Sequence, residues 1–218
     1  MMRMRAPSLR PSVRRLRDER GITLPELLVA MMILSIVSVV FTTTLTSVQR
    51  AVVREDVRTR LNDNARLAIQ TMDRQVRSGN LLYNPVAEAD PYTGTLGAGY
   101  MFRIYTQANA PTEGQFNCAL WLIDDQQRLK FQSWPALQPE DASGWRVITD
   151  GVVNRTTGQP AFSLDATNRT ASVTFFLNPS YTTDASATQR VAASLTGRNT
   201  SFGYPQDVCE DLPTNLTS

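Results

Sequence analysis

Glu26 is the one charge in Ile22–Phe41, ITLPELLVAMMILSIVSVVF, a run of 20 residues. A carboxylate at depth in a membrane helix costs about 2.5 to 3.5 kcal/mol even on the lenient insertion scale, so it calls for a partner. The bland alternative is a glutamate tolerated near the interface by snorkelling. Gly21 stands immediately before the run, and a cut between Gly21 and Ile22 would make Glu26 the fifth residue of the shortened chain. The same cut creates a free amine four positions ahead of that carboxylate. In a packed bundle the amine of a neighbouring subunit can neutralise Glu26. The chemistry these residue types point to is proteolytic processing followed by an ion pair between chains.

The elements that must position this chemistry begin with a basic segment. Residues 1–20 hold seven arginines, Arg3, Arg5, Arg10, Arg14, Arg15, Arg17 and Arg20, against Asp18 and Glu19. Of 22 basic and 20 acidic residues in the chain, 15 and 18 remain after that segment, so the body is slightly acidic. A run of 20 apolar residues is long enough to cross a hydrocarbon core of about 30 Å as a helix. The arginines before it place the N-terminus in the cytoplasm and everything after Phe41 on the other side. A conventional signal peptide is cut after its apolar run at small residues, and Phe41-Thr42-Thr43-Thr44 offers no such site.

Beyond the run, Val48, Val52, Val53, Val57, Leu61, Ala65, Ala68, Met72 and Val76 recur at helical spacing, with charged residues on the other faces. The helix therefore continues to about Arg77, where Ser78-Gly79-Asn80 reads as a stop. At about 1.5 Å per residue it would be roughly 80 Å long, so its distal half must pack on something. The expected partner is a head domain whose sheet covers the stripe of residues 52–76. A parallel coiled coil is the runner-up, but no clean heptad is sustained.

After residue 80 the texture changes to short alternating or apolar runs punctuated by Gly, Pro, Asn and Asp. Strands are expected at 99–106, 117–124, 128–134, 145–149, 161–165, 171–177 and 189–196, with a hairpin turning through Asp124-Asp125-Gln126-Gln127. The expected fold class is α+β: a long N-terminal helix, membrane-spanning in its first half and amphipathic in its second, packed on a small antiparallel β-sheet head. The organisation is a leader at 1–21, a membrane or filament-core helix at 22–41, its amphipathic continuation at 42–79 and an extracytoplasmic head at 80–218. Loops at 84–98, 107–116 and 179–188 are long and polar, the surfaces that usually carry recognition.

Cys118 and Cys209 lie in the part expected outside the cytoplasm, where oxidising conditions allow a bridge. The two are expected to pair, closing a loop of 91 positions and stabilising the fold by about 4 to 5 kcal/mol on the chain-entropy estimate. Two buried free thiols are the alternative. Histidine is absent from the chain, which removes the commonest general base, the Ser-His and Cys-His nucleophile pairs and His-containing metal sites. Asp124-Asp125 and Glu140-Asp141 have calcium-ligand chemistry without EF-hand spacing, and paired acids in turns are usually turn chemistry. The N-x-S/T triplets at Asn154, Asn168, Asn199 and Asn215 read as loop residues. No enzymatic activity, cofactor or metal is expected, and the acidic body disfavours direct nucleic-acid binding.

Arg20-Gly21-Ile22-Thr23-Leu24-Pro25-Glu26-Leu27-Leu28-Val29-Ala30 resembles the class III signal of type IV prepilins and type II secretion pseudopilins. The resemblance implies a prepilin peptidase that cuts after Gly21 and N-methylates Ile22, and makes Glu26 the carboxylate that sets register in a filament. The family more often has Phe where this chain has Ile22, and a residue other than proline at Pro25. The helix end, Asn62 to Ala68 followed by Met72 to Arg77, is similar to that of minor pilins and pseudopilins of the PilW and PulJ kind. Gly144 to Asn154, followed by Phe162-Ser163-Leu164, resembles a phrase of pseudopilin heads in that branch. The function so implied is a minor pilin or pseudopilin in pilus biogenesis, type II secretion or DNA uptake. Its partners would be other pilins or pseudopilins, the prepilin peptidase and an inner-membrane assembly platform. Its place would be the inner membrane, head outside, and then a surface or periplasmic filament. A single-pass anchored binding protein is the other class of reading, and it leaves Glu26 unexplained.

Overall fold

The computed structural model describes residues 21–108, 115–165, 167, 169–180, 187–197 and 207–216. The leader at 1–20, Asn168, Asn199 and parts of the loops at 107–116 and 179–188 lie outside the described residues. The chain divides into two units, Met1–Ala51 and Val52–Ser218, and one helix, α1 (Leu24–Arg77), contributes to both.

In the first unit every described residue is exposed. The helix contains an 18-residue window of mean hydropathy 2.4, long and apolar enough to cross a membrane. Its hydroxyls are satisfied internally: Ser35 donates to the Met31 carbonyl at 2.7 Å, Ser38 to Leu34 at 2.8 Å, and Thr43 and Thr44 to Val39 and Val40 at 2.9 and 2.8 Å. Such back-bonding gives these hydroxyls an acceptor within the helix itself, which suits apolar surroundings.

In the second unit α1 buries Leu61, Ala65, Ala68, Met72, Gln75 and Val76, a single face at spacings of three and four. That face packs against antiparallel sheets, so the architecture is α+β as expected. The five-stranded sheet runs in the order β1 (Gly79–Leu82), β2 (Met101–Thr106), β3 (Asn117–Ile123), β4 (Leu129–Pro135), β5 (Arg146–Thr149). The second sheet is β6 (Phe162–Asp165), β7 (Thr170–Leu177), β8 (Gln189–Thr196). All seven expected strands form within two residues of their expected bounds. β1 forms where only a helix stop was read, and the division into two sheets was not anticipated.

The stripe expected to be covered over 52–76 is covered only from Leu61; Val52 and Val53 are 62% and 63% exposed. Covering stops where the strands stop. Asn62 hydrogen-bonds Gln189 at the start of β8, and a Cβ on Gly151 would lie 3.5 Å from the Leu61 side chain.

Alternation sorts β3 between two cores. Ala119, Trp121 and Ile123 join the α1 face, Phe131 and the β6–β8 residues Phe162, Val173, Phe175 and Leu177. Cys118, Leu120 and Leu122 join Leu81, Met101, Trp134, Val208 and Cys209 on the opposite face. The cover of that second face is the C-terminal segment 207–216, joined to β3 by a Cys118–Cys209 disulfide. The short helix α2 (Asn154–Thr157) bridges the sheets: Val152 pairs with Leu177, and Asn154 donates to the Thr174 carbonyl at 2.9 Å and accepts from the Phe176 N–H at 3.0 Å. Asn154, read as a loop residue, is thus a buried clamp. Gly99 (φ +67°) is required at the seam, since a Cβ there would sit 2.7 Å from Pro160.

Candidate processing and assembly segment

The segment is built from the start of α1 outward. Leu24 is the first helical residue, and the Leu27 N–H donates to the Thr23 carbonyl at 3.1 Å. Pro25 sits in the first turn, where its missing N–H has no intrahelical partner to lose. Gly21, Ile22 and Thr23 stand ahead of the helix, so the Gly21–Ile22 peptide bond is outside the helical hydrogen-bond ladder. A Cβ on Gly21 would meet nothing within 4 Å, and Ile22 and Leu24 are 72% and 75% exposed. Among the described residues nothing packs against Gly21.

Glu26 lies in the first turn of α1, where the unsatisfied N–H groups and the helix dipole favour negative charge. Among the described residues it has no ion pair or side-chain hydrogen bond. Leu27, Leu28, Val29, Met31, Met32, Ile33 and Leu34 follow it, all exposed. An acid at the head of an exposed apolar helix, with no cation beside it among the described residues, is placed to accept an amine, from another chain or from a new terminus.

Gly21, Ile22 and Glu26 share the first unit, and Cys118 and Cys209 are brought together in the second. Asp124, weighed above as a calcium ligand, is instead committed to its hairpin: it accepts from the Arg128 backbone N–H at 2.8 Å and pairs with Arg128 at 2.7 Å and Lys130 at 3.1 Å. No group of three or more metal-ligating side chains occurs among the described residues.

Two buried ion pairs that fix the 84–98 loop were not seen in the sequence. Arg155 binds both oxygens of Asp90 at 2.6 Å and lies between the rings of Tyr92 and Tyr100. Arg103 pairs with Glu88 at 2.7 Å and also donates to the Glu210 carbonyl at 2.9 Å. No local spacing marks them, because the partners are 65 and 15 positions apart. Burial pushes Asp90 up, but hydrogen bonds from Arg155, Thr93 and the Tyr92 N–H outweigh it and hold the carboxyl below its ordinary value. Burial lifts Glu88 despite Arg103, and burial with the nearby charges of Asp124 and Asp125 pushes the Tyr92 hydroxyl up to about 12.

Residues 16–42 match the family profile described as a prokaryotic N-terminal methylation motif. No curated protein and no solved structure matches the chain. The matched segment spans Gly21, Ile22 and Glu26 and the apolar part of α1, and supports a pilin-like prepilin signal with membrane anchoring.

Proposed function

We propose that this chain is a minor pilin or pseudopilin: inserted by its apolar helix, cut after Gly21, N-methylated at Ile22 and drawn into a filament. The observation that carries the reading is the methylation motif at 16–42 coinciding with a helix that begins just after Gly21 and Ile22 and holds Glu26, unpaired among the described residues, in its first turn. In the filament the Ile22 amine of one subunit neutralises Glu26 of another, which removes the cost of a bare carboxylate in apolar surroundings. The resemblance of 62–68 with 72–77, and of 144–154 with 162–164, to the PilW and PulJ kind favours a subunit that initiates assembly or sits near the tip. Pilus biogenesis, type II secretion and DNA uptake all use such a subunit, and each supplies the peptidase and assembly platform as separate proteins. The chain itself then needs no catalytic residue.

The test is the N-terminal mass of the membrane-extracted protein from its native host, with and without the prepilin peptidase. A mature chain of 197 residues beginning at N-methylated Ile22, found only when the peptidase is present, is the expected result. An intact leader in both strains would leave a single-pass anchored binding protein with its head outside.

A further inference from the structure

Gln75 is the one polar residue on the buried face of α1, and it is fully shielded from solvent. The Trp121 indole N–H of β3 donates to its Oε1 at 2.7 Å. The Thr106 hydroxyl at the end of β2 donates to its backbone carbonyl at 3.1 Å and lies 2.8 Å from the Ser78 hydroxyl just past the helix end. Ser78 donates in turn to the Arg74 carbonyl at 2.9 Å, and a Cβ on Gly79 would come within 2.9 Å of the Gln75 carbonyl. The last turn of α1 and its exit are thus joined by polar contacts to β2 and β3.

Stability alone does not account for this cluster. The Gln75 Nε2 is buried without a hydrogen-bond partner, and a half-satisfied buried amide is less favourable than an apolar side chain of the same shape. What the amide adds is position, because the indole N–H meets a side-chain carbonyl at one setting of the helix. The apolar row of α1 does not define that setting. Val53 and Val57 continue the spacing of Leu61, Ala65, Ala68 and Met72 toward the N-terminus, so a helix moved by one turn still offers an apolar row to the same sheets. Thr71 or Met72 would then stand in the place of Gln75, and neither has a side-chain carbonyl for the indole.

We propose that Gln75, with Trp121 and Thr106, is a buried latch that sets the axial position of α1 on the head, so that a pull along the helix moves both as one body. Single polar residues in apolar seams set register in the same way, at a cost in stability. The latch lies wholly within the second unit and does not require the chain to be a filament subunit.

The test is a distance measured by pulsed electron resonance between two spin labels on the full-length protein in detergent micelles. One label sits at Arg66→Cys on the exposed side of α1 and the other at Thr196→Cys at the end of β8, both exposed positions. The native cysteines are paired and take no label. β8 starts beside Asn62, and Gly197 just past its end lies near the Val76 carbonyl, so this distance follows a slide of α1. The parent should give one narrow distance. Gln75→Met keeps the volume and removes the acceptor, and should add a second population displaced by several Å, as expected for a slide of one turn of about 5.4 Å. Thr106→Val cuts the other arm of the latch and should broaden the distance in the same sense. The oxidised Cys118–Cys209 bond, read on a non-reducing gel, shows that the head has folded. A narrow, parent-like distance in Gln75→Met overturns the proposal even if thermal stability has changed. If Gln75→Met fails to fold, a parent-like distance in Thr106→Val overturns it instead.

Discussion

At the scale of single residues, the buried carboxylates of the head have cation partners within the fold, and Glu26 has none among the described residues. Asp90, Glu88 and Asp124 each have a cation at hydrogen-bond distance, whereas no described residue pairs with Glu26. Glu26→Gln removes the charge and keeps the size, so insertion and cleavage after Gly21 should persist while recovery in sheared filaments falls steeply. Equal recovery of variant and parent would sink the assembly role. Asp90 offers a pH test. Its folded pKa is depressed, so its contribution is present above the unfolded value of about 3.9 and lost as pH falls through the folded value. Glu88 has the opposite sign: its folded pKa is raised, so it detracts from stability as pH rises through its unfolded value of about 4.3. Asp90→Asn should cost about 3 to 5 kcal/mol near neutral pH, because it leaves Arg155 buried without its charge partner. The loss should shrink as pH falls from the unfolded value of about 3.9, where the unfolded chain starts to bind the proton, down through the depressed folded value. Thermal unfolding of both proteins across that range checks it, and parallel curves would count against the ion pair.

At the scale of elements, the sequence is most legible where periodicity is local. Strands β2, β3, β7 and β8 show alternating or apolar runs bounded by turn residues, and α1 shows its three-four spacing, so their bounds were read nearly as they are. β1 was missed because Gly79-Asn80-Leu81-Leu82 is four residues long and directly follows the helix stop. The C-terminal cover was missed because 207–216 has no periodic pattern; its burial comes from Cys209, Val208 and Leu212 meeting a sheet face far away in sequence. The processing segment was legible because its signal is contiguous, while the Gln75–Trp121 bond joins residues 46 positions apart. The cover gives a direct prediction. Replacing Cys118 and Cys209 together by serine should cost about 4 to 5 kcal/mol on the chain-entropy estimate. Amides of 207–216 should then exchange faster than those of β3 by hydrogen-exchange mass spectrometry. If they stay as protected as β3, the contacts of Arg103 with the Glu210 carbonyl and of Trp145 with the Asn215 carbonyl hold the cover unaided.

At the scale of the whole molecule, the two units answer to different solvents, and the charge of the chain is arranged to deliver each to its own. Seven arginines stand ahead of the apolar helix, and the 197 residues from Ile22 onward hold 15 basic against 18 acidic residues. Positive charge beside an apolar run stays on the cytoplasmic side, so in the proposed topology residues 1–20 orient the insertion. The proposed topology ties the redox state of the head to the direction of insertion. The Cys118–Cys209 bond requires an oxidising compartment, so its formation reports which side of the membrane the head has reached. Replacing the seven leader arginines by glutamine while keeping Gly21 and Glu26 should leave the helix able to insert but remove its orienting charge. Thiol alkylation of the variant in the native host should then find a substantial fraction of Cys118 and Cys209 reduced, where the parent protein is oxidised throughout. Full oxidation of the variant would mean that the head is exported without help from the leader's charge, and that the arginines serve recognition by the peptidase alone.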